Sequence, residues 1–257
     1  NLEEENLEDN VEEDNLEEDN LEEDNSEDLE EEKDVDEESP EAFSENNLQI
    51  AVQSLYIQSL IICYPSHQAS ISKKLLTGKK GLNRIVDTIL DTNNQLQYAY
   101  KTRGDGVLPF GRIFTYDLIG KYSIKIKNVL DSIYNPTTKQ ICDGIVLIYS
   151  EYLSGGLVPM ALALEEMGMN CYGKPNLLQK PVTSVAATST TSATSTALHG
   201  LSYCMITGPD TFSPNKIETI EALRNDKNVL GEKIKVVLIS RAGSEGVDLK
   251  FIRQIHI

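Results

Sequence analysis

The sequence predicts an α/β domain built on a parallel sheet, and three observations carry that expectation. Apolar runs such as "GIVLIYS", "LSYCMITG" and "KVVLIS" are continuous rather than alternating, as strands covered on both faces are. Helix-period segments lie between them, and the linkers are short. Polar turns of small residues follow two of the runs, where parallel sheets commonly bind ligands.

Taken in order, the chain opens on a degenerate pentad repeat: NLEEE, NLED, NVEED, NLEED, NLEED, NSED. Residues 1–45 hold 25 Asp and Glu against one Lys, a net of −24. Residues 46–257 hold 16 acids against 22 Lys and Arg, a net of +6, so the total of −18 hides an acidic tail on a mildly basic body. A five-residue period forms no apolar stripe on a helix, and like charges oppose compaction. Disorder is the expectation for 1–45, as a solvating linker or as a tether for a basic partner.

Residues 46–119 read as a connector leading into the main domain. "LQIAVQSLYIQSLIICYPS" is apolar and β-branched enough for a strand, closed at Tyr64-Pro65. The basic stretch "SKKLLTGKKGLNRIVDTIL" contains Gly78-Lys79-Lys80. It is not a phosphate-binding loop: no Gly stands five residues before Gly78 and no hydroxyl follows Lys79. Its lysines read as a solvated face.

The main domain occupies 120–257. Ile126, Val129, Leu130 and Ile133 predict a helix that Asn135-Pro136 stops. "GIVLIYS" is a buried strand. Pro159 suits the first turn of a helix running to Met167, with Gly168 as its cap. Residues 179–198, rich in Ser, Thr and Ala, read as a disordered insertion. "LSYCMITG" is a strand, and Ser213-Pro214 opens a helix with Ile217, Ile220 and Leu223 on one side. "KVVLIS" and "IRQIHI" are the last strands.

Four scattered Cys without a CxxC pair predict reduced structural thiols rather than a metal site. No apolar run approaches the ~20 residues that span a bilayer, so the expectation is an intracellular protein without a membrane partner. The chain starts on Asn and ends on an apolar strand, and it reads as an internal piece of a longer protein.

The turn Ser240-Arg241-Ala242-Gly243-Ser244-Glu245-Gly246-Val247-Asp248 is the candidate site. Hydroxyls, Gly residues that let the backbone approach a ligand, and an Arg suit a phosphate polyanion. Asp248 does not, and is expected to accept from ribose hydroxyls or to pair with Arg241 or a second domain. A plain connection with an exposed Arg is the alternative.

"VVLISRAGSEGVDLKFIRQIHI" resembles motif V of superfamily 2 helicases and the strand after it. "GIVLIYSEYLSGGLVPMALALEEMG" resembles the motif IV strand and helix, and "YCMITGPDTFSPN" the next strand–helix unit. The likeness is nearest to helicase-like proteins of large cytoplasmic DNA viruses, the group containing the poxvirus early transcription factor small subunit. It implies a second RecA-like domain, with helices on both faces of its sheet and incomplete at its C-terminus. Such a domain closes with a first one over ATP and grips one nucleic-acid strand.

By position, the resemblance puts Ser150, Ser240, Arg241, Gly243 and Ser244 on the nucleic-acid face, and Gly246 and Asp248 at the ATP site. It implies ATP as cofactor, its Mg2+ held by the first domain, and DNA or RNA as partner. Viral RNA polymerase or another basic protein is a candidate partner for the acidic tail, and a virion or viral factory the implied location. No Gly-x4-Gly-Lys-Ser/Thr loop and no Asp-Glu-x-His box occurs in these 257 residues, so this piece alone is expected to be inactive. A non-enzymatic interaction module and a chromatin-remodelling type of translocase are the competing expectations.

Overall fold

The computed structural model describes residues 45–67, 71–91, 95–102, 104, 108–179 and 196–257. The acidic repeat and nearly all of the Ser/Thr/Ala insertion lie outside the described residues.

The sheet has five strands, β5 (Ile145–Tyr149), β6 (Asn170–Cys171), β7 (Ser202–Ile206), β8 (Val236–Ile239) and β9 (Ile252–His256). They lie in the order β6-β7-β8-β5-β9, and every neighbouring pair is parallel. The continuous apolar runs are explained by what covers the two faces. Val146, Ile148, Tyr203, Met205, Val236 and Leu238 face one core with α4 (Ile124–Ile133) and α5 (Val158–Glu166). The residues that alternate with them, Ile145, Cys204, Ile206, Val237 and Ile239, face a second core with Leu223 of α6 (Lys216–Arg224). An α/β parallel sheet with a helix layer on each face is thus the architecture.

Helix α4 follows the sequence expectation. Ser123 caps it, accepting from Ile126 N–H at 2.9 Å, and Ile126, Val129, Leu130 and Ile133 are its buried side. A π-helical turn, Leu153–Leu157, leads into α5, whose nine residues are all buried. In α6 the inward residues are Thr219 and Leu223, four apart, with Ile220 beside them. Ile217 does not join them: it sits in the first turn and is 77% exposed.

The connector differs from expectation more. Glu45–Ile61 is a helix, α1, and not a strand. The apolar stretch runs more than a dozen residues without a turn signal, which exceeds strand length and suits a helix. After a short 3-10 turn (Lys73–Leu76) come α2 (Gly78–Leu82) and an antiparallel hairpin of β1 (Val86–Leu90) and β2 (Leu96–Tyr100). Ile62, Tyr64, Leu82, Val86, Ile113 and Phe114 bury into the same core as α4 and α5, so the connector is packed onto the sheet. The remaining elements are small: α3 (Tyr116–Ile119), the two-residue strands β3 (Tyr134–Asn135) and β4 (Gln140–Ile141), and α7 (Arg241–Ser244).

Two buried glutamates at the end of α5 hold this packing. Glu165 accepts from the N–H groups of Leu177 (2.7 Å) and Leu178 (2.6 Å) and from the Tyr203 hydroxyl. Glu166 accepts from Tyr100 Oη at 2.7 Å and pairs with Arg112 at 3.0 Å. Burial pushes the Glu165 carboxyl up to about 7, against hydrogen bonds that favour its charged form. Cys171 and Cys204 are buried thiols, whereas Cys142 is half-buried and Cys63 exposed.

Candidate nucleic-acid interface

Strands β5 and β8 are neighbours, but the chain leaves them in opposite directions. After β5 it runs through α5, on the first core, to the β6 edge; after β8 it runs through α7, beside the second core, to β9. Such a divergence opens a crevice at the carboxyl ends of the strands, the usual ligand site of an open α/β sheet. The crevice here is a cleft of about 620 Å3.

Backbone hydrogen bonds fix its floor. Ser150 N–H donates to Ile239 O (3.2 Å) and Ser240 N–H to Ile206 O (3.1 Å), which continues the ladder from three strands into their loops. Beyond β7, Ser213 Oγ accepts from Thr207 N–H and donates to Met205 O, locking Thr207 at the rim. Ser240 caps α7, its Oγ accepting from Gly243 N–H at 3.2 Å; its own proton has no acceptor among the described residues.

The turn after β8 presents two sides. Ser240, Arg241, Ala242 and Glu245 line the cleft. Gly246 and Asp248 lie outside that lining. Asp248 pairs with Arg224 rather than Arg241: the carboxylate is 3.8 Å from the Arg224 guanidinium, whose Nε also donates to Asp248 O at 2.8 Å. Gly246 adopts φ +70° with open space where a side chain would be, so the turn uses its conformational freedom there.

The other site residues are placed differently from one another. The Gly243 backbone packs on Ile206 and Thr207, where a Cβ would fall 1.9 Å from Ile206 O. The Ser244 hydroxyl donates to Arg241 O at 2.7 Å on the exposed side. Ser150 Oγ accepts from Tyr152 N–H at 3.2 Å and lies against Gly156. From that loop it is Glu151, Leu153 and Ser154 that line the cleft. The structure thus brings Ser240 and Arg241 together in the cleft, while Gly243 supports it from behind.

Sequence reasoning missed a further part of the lining. Lys79, Leu82 and Asn83 of α2 and its end, and Thr88, Leu96 and Tyr98 of the hairpin, line the same cleft. A signal for the hairpin was present: two β-prone runs, "VDTIL" and "LQYAY", flank Asp91-Thr92-Asn93-Asn94. Lys79 belongs to the basic stretch whose lysines the sequence reads as a solvated face, and its place in the cleft is a tertiary outcome.

Asp248 and Gly246 also bear on the nucleotide that the resemblance implies. A largely exposed carboxylate can accept from sugar hydroxyls, whereas Asp248 and Gly246 themselves offer no cation for phosphate. Binding the triphosphate would fall to groups elsewhere.

Fold and cleft define an open α/β domain with a crevice of mixed polar and apolar lining at the diverging strand ends. No protein-family model and no solved structure matches the chain. It is similar to viral proteins named termination factor NPH-I homolog. One, from the African swine fever virus isolate Tick/Malawi/Lil 20-1/1983, is 29% identical over 159 residues, 56% of this chain and 21% of that protein. Another, from the Pretoriuskop isolate of the same virus, is 31% identical over 129 residues, 44% of this chain and 18% of that protein. The match therefore spans about a fifth of these relatives. They are viral, as the resemblance implied, and named for termination rather than for early transcription.

Proposed function

We propose that this chain is the second RecA-like part of an ATP-dependent, superfamily 2 nucleic-acid translocase that serves viral transcription. In this reading Ser240 and Arg241 grip one strand through its phosphates, and Gly246 and Asp248 face the ribose of ATP. The observation that carries the reading is the cleft at the diverging ends of β5 and β8, with Arg241 in its wall and no ion pair on Arg241 among the described residues. The relationship to viral termination factors supports the viral, transcription-linked setting.

When bound, ATP would supply the phosphoryl-transfer energy. This chain's residues position: Arg241 places a positive charge at the strand, Ser240 adds a hydroxyl donor, and Asp248 accepts from sugar. The phosphate loop, the Mg2+-binding acids and the arginine of catalysis would come from residues outside these 257. RNA polymerase contact through the acidic repeat belongs to the same reading.

The test is the salt dependence of oligonucleotide binding by the full chain with and without Arg241→Ala. Losing one phosphate contact should weaken binding and lower the log–log salt slope by about 0.7 for a single strand. An unchanged slope removes Arg241 from the interface.

A further inference from the structure

Lys79 and Arg241 are exposed cations that line one cleft, and neither makes an ion pair among the described residues. Lys79 comes from α2, far from the turn in sequence. Resting on the reading above, we infer that α2 and the β1–β2 hairpin form a second wall of the nucleic-acid cleft. In it Lys79 takes a backbone phosphate of the same single strand that Arg241 contacts.

The wall is built in advance of any ligand. The Tyr98 backbone is paired on its outer side, its N–H donating to Leu177 O at 2.6 Å and its carbonyl accepting from Gln179 N–H at 2.8 Å. Glu165 holds Leu177 and Leu178 by their N–H groups, and Glu166 holds Tyr100. The hairpin is thus tied to α5, and α2 packs on the loop between β5 and α5, where a Cβ on Gly155 would lie 3.4 Å from Gly78 Cα. The backbone of this wall is thus in place before a strand arrives, and the ordering cost of the contact is confined to the exposed Lys79 side chain.

The choice of a single strand follows from the rest of the lining. Leu96, Leu153, Tyr98 and Phe212 also line the cleft, the two leucines half-buried and the two rings almost fully buried. A duplex hides its base faces in the stack and would bring only sugar and phosphate to this apolar surface. A single strand exposes base faces, which apolar and aromatic side chains accept without reading sequence. Glu151 and Glu245 also line the cleft, so it is no uniform cation patch: phosphates suit the Lys79 and Arg241 positions, while sugar hydroxyls and base amino groups suit the carboxylates.

The test measures binding of a fluorescein-labelled 20-nucleotide single strand and of the matching duplex to the full chain across a salt series. Variants are Lys79→Ala, Arg241→Ala and Lys74→Ala, the last an exposed lysine of the neighbouring 3-10 turn outside the cleft. Lys79→Ala should weaken single-strand binding about tenfold, a charged contact's worth, and lower the salt slope by about 0.7. Lys74→Ala should change little. Normal binding by Lys79→Ala beside weakened binding by Arg241→Ala overturns the second wall and leaves the proposed function standing. No effect from either removes both. An equal loss with Lys74→Ala, or an equal loss on the duplex, also overturns the inference. Unchanged thermal unfolding of Lys79→Ala checks that the fold is intact.

Discussion

The Gly243 backbone lies so close to the Ile206 carbonyl that a Cβ on Gly243 would stand 1.9 Å from that oxygen. The obstacle is strand backbone, with the Ile206 carbonyl carbon at 2.4 Å and Thr207 N at 2.8 Å, so no side chain can swing aside. Ile206 O also accepts from Ser240 N–H, the hydrogen bond that carries the sheet into the site. Gly243→Ala must therefore move the turn away from β7. The expected cost is about 3 kcal/mol, the upper range for overpacking a tight site, with nucleic-acid binding lost as well. Urea denaturation checks it; an unchanged midpoint would mean that the close approach is absent.

Glu165 gives stability a pH dependence. Its carboxyl titrates at about 7 in the folded chain against 4.5 for an unperturbed carboxyl. The folded state therefore holds the proton more tightly, and this contribution is fully present below about 4.5 and lost as pH rises through about 7. The full span is on the order of 3 kcal/mol. Glu165→Gln should flatten the fall in unfolding free energy between pH 5 and pH 7. Parallel profiles for the two proteins would show that another group titrates there.

What was legible in the sequence follows the strength of local patterns. The strands β5, β7 and β8 are continuous apolar runs, β9 is a mixed one, and α4 shows a four-residue apolar stripe that Ser123 and Asn135-Pro136 bound. Helix α1 departs from the expected strand because its β-branched Ile and Val favour a strand by propensity, while Ile50, Val52, Tyr56, Ile57 and Leu60 are exposed rather than marking a buried side. In the site, Ser240 and Arg241 stood out through their turn. Lys79, Asn83 and Thr88 did not, since only the packing of α2 and the hairpin brings them to the cleft.

Glu166 ties the hairpin to α5 through a nearly fully buried carboxylate. Glu166→Ala leaves the Tyr100 hydroxyl and the Arg112 guanidinium without that acceptor. Arg112 keeps 27% side-chain exposure, so water screens part of the loss, and the expected destabilisation is about 2 kcal/mol rather than the larger value of a sealed pair. Hydrogen exchange at β1 and β2 should quicken more than at β7 and β8. Uniform quickening would instead mean that Glu166 supports the whole core.

The Asp248–Arg224 pair makes a contrasting case. At 3.8 Å, with the side chains 72% and 41% exposed, it is worth no more than about 0.5 kcal/mol. Asp248→Ala should leave the urea midpoint within error of the parent. A large shift would show that the pair holds the turn's far side together, and that a role toward sugar is unnecessary to explain Asp248.

With ATP, Mg2+ and a single-stranded oligonucleotide, the purified chain should release phosphate no faster than a protein-free control. Phosphoryl transfer depends on charges placed around the γ-phosphate, and the 257 residues contain no Gly-x4-Gly-Lys-Ser/Thr loop to place them. Gly78-Lys79-Lys80 is no substitute, because α2 turns Lys79 into the cleft with Arg241 and no hydroxyl follows it to hold a metal. Binding and turnover should therefore separate: the chain holds a strand and hydrolyses nothing. A turnover that survives purification and disappears in Arg241→Ala would overturn this, since it would put the hydrolytic chemistry within the cleft itself.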